Sequence, residues 1–173
     1  MGDERSQLMI DARYDQNRNC WSGLLSGDKF SWQEGLRNVC SSVGGFQFHS
    51  SMSGYEGYEH VVASAKRRKP KRMYWIGHSN GAFACLSAIA ELINEPTEHV
   101  VVVFDRTLKF CPPVGKNVIA ALDLWAQLAN IHRAANFDGV LERKDYSPES
   151  HIGVIGNEDA QRDAIAFLRK WGA

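Results

Sequence analysis

No charge of either sign predominates: Lys plus Arg and Asp plus Glu each number 20 in 173 residues. A chain without basic excess lacks the electrostatic footprint of a nucleic-acid binder, so no nucleic acid is expected as a partner. Long apolar runs are missing too. None approaches the roughly 20 residues needed to span a bilayer, and no membrane span is expected. The opening segment, MGDERSQLMIDARYD, has no basic start followed by an apolar stretch, so it does not read as a secretory signal. Gly2 is followed by the charged Asp3, a poor start for myristoylation. The expected location is cytoplasmic.

Cysteine pairs at metal or redox spacing are also lacking. Cys20, Cys40, Cys85 and Cys111 are far apart with no CxxC, and they read as reduced thiols. The six histidines, at 49, 60, 78, 99, 132 and 151, form no HxH or HxxxH pair. No metal is expected, because no Cys–His cluster has ligand spacing. There is no internal repeat, low-complexity stretch or linker, so residues 1–173 read as a single domain with no separate lid domain. Oligomeric state is not legible.

What the chain does have is an alternation of short apolar runs and helical stretches. Strands are predicted at 7–12, 46–48, 73–76, 100–104 and 139–142. Helices are predicted at 32–43, 55–68, 80–93, 117–128 and 157–171. The helix at 32–43 has its apolar stripe at 32, 36, 39, 40 and 43 and is stopped by Gly44 and Gly45. Four of the five residues in 100–104 are Val, as expected of a strand covered on both faces. The pattern predicts the α/β class: a three-layer α/β/α sandwich with a mostly parallel central sheet.

Between the strand at 73–76 and the helix from Asn80 lies Gly77-His78-Ser79-Asn80-Gly81, a G-x-S-x-G sequence. A serine at a sharp strand-to-helix turn is strained, and its hydroxyl stands clear of the sheet at a helix N-terminus. Free N–H groups and the helix dipole there favour a developing negative charge. Gly77 and Gly81 are expected to remove side chains that would collide across the turn. The competing reading is a glycine-rich turn whose serine caps the helix.

A serine nucleophile needs a base, and the base needs a carboxylate to orient it. Asp105 follows the Val-rich strand, at the carboxyl edge where open α/β sheets place their sites. Of the downstream histidines, His99 begins its strand, at the wrong edge. His132 sits in a segment with no reason to reach the site. His151 follows the polar loop 145–150 and precedes the last helix, where a loop-borne base belongs. The order Ser79, Asp105, His151 is the order of the α/β-hydrolase triad.

The stretches IGHSNGAFA, VVVVFDRT and SHIGVIGNEDAQ together resemble small α/β-hydrolases of the lipase, esterase and thioesterase type. The resemblance covers roughly residues 73–171. It implies a compact α/β-hydrolase fold and a serine hydrolase that cleaves acyl esters or thioesters through an acyl-enzyme, with no cofactor and a small-molecule acyl substrate. It also implies an oxyanion hole built from the N–H of Asn80 and one from an early loop. Tyr14 is the candidate for the second, although that loop lacks the family's glycine. The alternative is a catalytically silent fold used for binding or assembly.

Other features read as structural. Six of the seven residues 66–72 are basic, which suits a helix C-terminus, and His78 beside the serine reads as a packing or hydrogen-bonding residue. Cys85 reads as buried rather than reactive. The loop carrying Trp21, Leu24 and Leu25 is expected to overhang the site and shape an acyl pocket.

Overall fold

The computed structural model describes residues 31–43, 58–106 and 111–173. The expected strands at 7–12 and 46–48, Tyr14 and the loop with Trp21, Leu24 and Leu25 lie outside the described residues. In chain order the described elements are α1 (Ser31–Val43), α2 (Tyr58–Arg68), β1 (Arg72–His78), α3 (Asn80–Glu91), β2 (Glu98–Phe104), β3 (Val118–Trp125), β4 (Val140–Asp145), α4 (Gly153–Gly156) and α5 (Glu158–Lys170). The four strands form one all-parallel sheet in the order β1-β2-β3-β4. This is an α/β architecture.

Alternate residues of each strand point to opposite faces, and two apolar clusters follow from that alternation. Met73, Trp75, Val101, Val103 and Ala121 pack with Val61, Val62 and Ala65 of α2 and with Ala82, Leu86 and Ile89 of α3. Tyr74, Val100, Val102, Phe104, Leu122 and Leu124 pack with Leu36 and Val39 of α1, Val154 and Ile155 of α4, and Ala164, Phe167 and Leu168 of α5. Every residue of β2 from His99 to Phe104 is buried, which is why its valines show no polar alternation.

One element corrects the sequence reading. The segment predicted as a helix over 117–128 is strand β3, Val118–Trp125, paired in parallel with both β2 and β4. A central strand buried on both faces is apolar nearly throughout, so it carries no period of two and passes for a buried helix. The β-branched Val118 and Ile119 were the local signal for a strand.

The last helix, expected over 157–171, is α5, Glu158–Lys170. Asn157 caps α5 by accepting from the N–H groups of Asp159 and Ala160, and Arg169 and Lys170 sit in its last turn. The basic segment behaves likewise: Lys66, Arg67 and Arg68 close α2, and Arg72 of β1 pairs with Glu98 of β2 at 2.5 Å. Among the described residues no helix is long and apolar enough to cross a membrane. Cys40, Cys85 and Cys111 form no disulfide. Burial pushes the Cys85 thiol up to about 12, which fits an unreactive packing residue.

His99 lies near the amino end of β2, as predicted, with its ring fully buried. Its Nδ1 accepts from the Trp75 indole N–H at 2.9 Å, so Nε2 carries the proton. Burial lowers its pKa to about 3. The unfolded chain binds a proton near pH 6.5 that the native chain refuses, so this contribution to stability is complete above that pH and is lost as pH falls toward 3. Urea midpoints should therefore drop between pH 7 and pH 4.5, and His99→Gln should flatten that dependence.

Candidate active site

The site is assembled at the carboxyl ends of β1 and β2. Ser79 is the single residue between β1 and α3, with φ 55° and ψ −120°. That backbone conformation is costly for any residue with a Cβ. Two features hold it: the Ser79 N–H donates to Phe104 O at 3.2 Å, and the Ala82 N–H closes back on Ser79 O at 3.1 Å. The Ser79 hydroxyl makes no capping hydrogen bond to the helix it precedes. This counts against the helix-cap reading, which needs that hydroxyl as an acceptor for the first turn.

The two glycines of the motif have different roles. A Cβ on Gly77 would stand 2.6 Å from Ala82 Cα and 2.7 Å from Gly81 O, so only glycine lets the strand end approach the helix start. Gly81 does not share that constraint: a Cβ there meets nothing within 4 Å among the described residues. The expectation that Gly81 relieves a collision is corrected accordingly.

Asp105 follows β2 directly. It too has positive φ, 39°, and it is fully buried. Its Oδ1 accepts from three consecutive backbone N–H groups beyond β3: Ala126 at 3.0 Å, Gln127 at 2.9 Å and Leu128 at 2.9 Å. Its Oδ2 lies 2.8 Å from His151 Nδ1. Burial works to raise the pKa of this carboxyl. Hydrogen bonds from Leu128, Ala126, His151 and Gln127 outweigh it and hold the group below the usual carboxylate range. Asp105 is thus an ionised acceptor, and His151 Nδ1 is the protonated ring nitrogen that faces it.

His151 is held at three points. Its Nδ1–H meets Asp105, its main-chain N–H donates to Gln127 Oε1 at 3.3 Å, and its carbonyl accepts from His78 Nε2 at 2.8 Å. Among the described residues no hydrogen bond is made to the fourth group, Nε2, whose lone pair points outward in the ring plane. The ring stacks on that of His78, with centroids 4.7 Å apart and planes 28° apart. Its side chain is 26% exposed, while that of Asp105 is completely covered. The imidazole thus reaches solvent while the carboxylate that orients it is hidden.

The loop bearing His151 is anchored from behind. The Tyr146 hydroxyl donates to Asp163 of α5, which also pairs with Lys144 at 2.5 Å. The Ser147 hydroxyl donates to Ala126 O at 3.0 Å, and Asn157 Nδ2 donates to Glu149 at 3.0 Å. The loop after β3 is pinned at its far end as well. Buried Asp123 accepts from the Ile131 N–H at 2.7 Å, and Arg106 Nε donates to Asn130 O at 2.5 Å.

Two predicted residues, Asp105 and His151, are therefore in direct contact. Ser79 sits one residue from the His78 ring that stacks on His151. No hydrogen bond joins the Ser79 hydroxyl to the imidazole among the described residues, and such bonds are often long before substrate binds. Asn80 opens α3, so its N–H belongs to the first turn, which has no intrahelical acceptor. Tyr14 lies outside the described residues. The sequence reading missed Gln127 and the N–H cradle of 126–128, because that segment was taken into a helix. Among the described residues no group of acidic, Cys and His side chains could hold a metal ion. Comparison of the chain with protein-family models, with curated proteins and with solved structures gives no match.

Three substitutions test this geometry. Gly77→Ala should cost about 1–3 kcal/mol by overpacking, whereas Gly81→Ala should be neutral or stabilise by up to about 1 kcal/mol through helix propensity. Asp105→Ala should cost about 2–4 kcal/mol, since three N–H groups lose their acceptor. Urea unfolding of the three variants measures each figure.

Proposed function

We propose that this chain is a serine hydrolase in which Ser79 is the nucleophile, His151 the general base and Asp105 the residue that orients it. The observation that carries this reading is the fixing of His151 by Asp105, Gln127 and His78, the residue next to a strained serine that caps no helix. In this reading Nε2 takes the Ser79 proton as Oγ attacks an acyl carbonyl. The Asn80 N–H receives the oxyanion, with Tyr14 as the candidate for a second donor. The imidazolium, stabilised by ionised Asp105, then passes its proton to the leaving group. Water activated by the same nitrogen hydrolyses the acyl-enzyme.

Acyl esters and thioesters are the substrate classes that this chemistry suits, and no cofactor enters it. The all-parallel sheet, with apolar clusters of helices against each set of alternating strand residues, supports the three-layer sandwich of a compact α/β-hydrolase. The order Ser79, Asp105, His151 along the chain supports the same assignment.

The test is covalent labelling. Purified protein should react with a fluorophosphonate at Ser79 and hydrolyse p-nitrophenyl butyrate, and Ser79→Ala should abolish both. Asp105→Asn should lower kcat by something on the order of 10⁴, because an amide no longer fixes the imidazole tautomer. A folded wild-type protein that neither labels nor turns over would favour the catalytically silent alternative.

A further inference from the structure

We propose that His78 is a positioning residue for His151, acting through one hydrogen bond to its main chain and one ring stack. The proposal rests on the reading of His151 as the base. Its physical starting point is that a loop-borne histidine has two sources of misplacement, the path of its backbone and the rotation of its ring. Asp105 restrains only the ring, at Nδ1. Gln127 restrains the main-chain N–H through a longer contact, 3.3 Å, from a side chain that is itself exposed.

His78 supplies what is missing. It ends β1, the strand that leads into Ser79, so its backbone belongs to the sheet rather than to a loop. From there Nε2 reaches His151 O at 2.8 Å. A carbonyl oxygen accepts only, so Nε2 of His78 must carry a proton. The same side chain lies flat against the His151 ring at 4.7 Å. Burial lowers the His78 pKa to about 4, so at neutral pH the stacked partner is uncharged. One side chain therefore ties the base to the strand that carries the nucleophile. A displacement of the base by about 1 Å costs on the order of a hundredfold in rate.

The first measurement needs no mutation. Nitrogen-15 spectra of the wild-type protein should show His78 as the Nε2–H tautomer; the Nδ1–H tautomer would overturn the proposal, because a bare Nε2 cannot bond a carbonyl. The second uses His78→Phe, which keeps a ring to stack but has no donor. We expect kcat for p-nitrophenyl butyrate and the fluorophosphonate labelling rate to fall together by about 10–100-fold. KM should stay within about twofold of wild type, and the low-field His151 Nδ1–H proton signal should broaden. His78→Gln, which restores a donor, should recover part of the rate. A folded His78→Phe protein with wild-type kcat and an unchanged His151 signal overturns the proposal, as does a Gln variant no faster than Phe. If the wild-type protein does not label at all, the hydrolase reading falls, and the tautomer and the His151 signal still decide whether His78 holds that ring.

Discussion

A fully buried carboxylate governs the arrangement of this end of the molecule. An isolated ionised carboxyl in such a place would cost many kcal/mol, and only a complete set of donors makes it tolerable. Asp105 has such a set: three successive N–H groups on Oδ1 and an imidazole N–H on Oδ2. Those donors come from the loop after β3 and from the loop before α4, so satisfying one charge draws two distant loops onto the end of β2. The positive φ of Asp105, like that of Ser79, is a local cost that this surrounding structure sustains.

The scaffold behind it is arranged to keep that network in place. The strands are parallel, and from Val100 onward β2 pairs residue for residue with both β1 and β3, so the carboxyl ends of the three are side by side. Ser79 and Asp105 follow neighbouring strands directly, and a hydrogen bond runs from the Ser79 N–H to Phe104 O, the residue before Asp105. The loops that complete the site are fastened to rigid elements: one through Tyr146 to α5, the other through Asp123 and Arg106. A site on loops gains precision only when the loops are fixed in this way.

Sequence reading succeeded where the signal was local. The elbow at 77–81 was legible because glycine at 77 and a strand-to-helix change are properties of a short stretch. The helix at 157–171 and the Val-rich β2 were legible for the same reason. Reading β3 as a helix had a physical cause, since burial on both faces erases the alternation that marks a strand. That one error hid Gln127 and the cradle of 126–128, which exist only because β3 ends at Trp125. The role given to Gly81 failed differently: a motif position was assigned a steric duty that depends on what lies beside it in three dimensions.

The amino-acid sequence by itself determined the alternating α/β pattern, the strained turn at Ser79 and the candidacy of Asp105 and His151, because each depends on residue type, spacing or chain order. Only the tertiary structure decided that the carboxylate and the imidazole meet, at 2.8 Å across 46 positions of chain. It also decided that His78 and Gln127 grip the same histidine. The reason is that a hydrogen bond depends on distance and direction to within a few tenths of an ångström, and such coordinates arise from the packing of the sheet and its loops, on which a linear order of residues is silent.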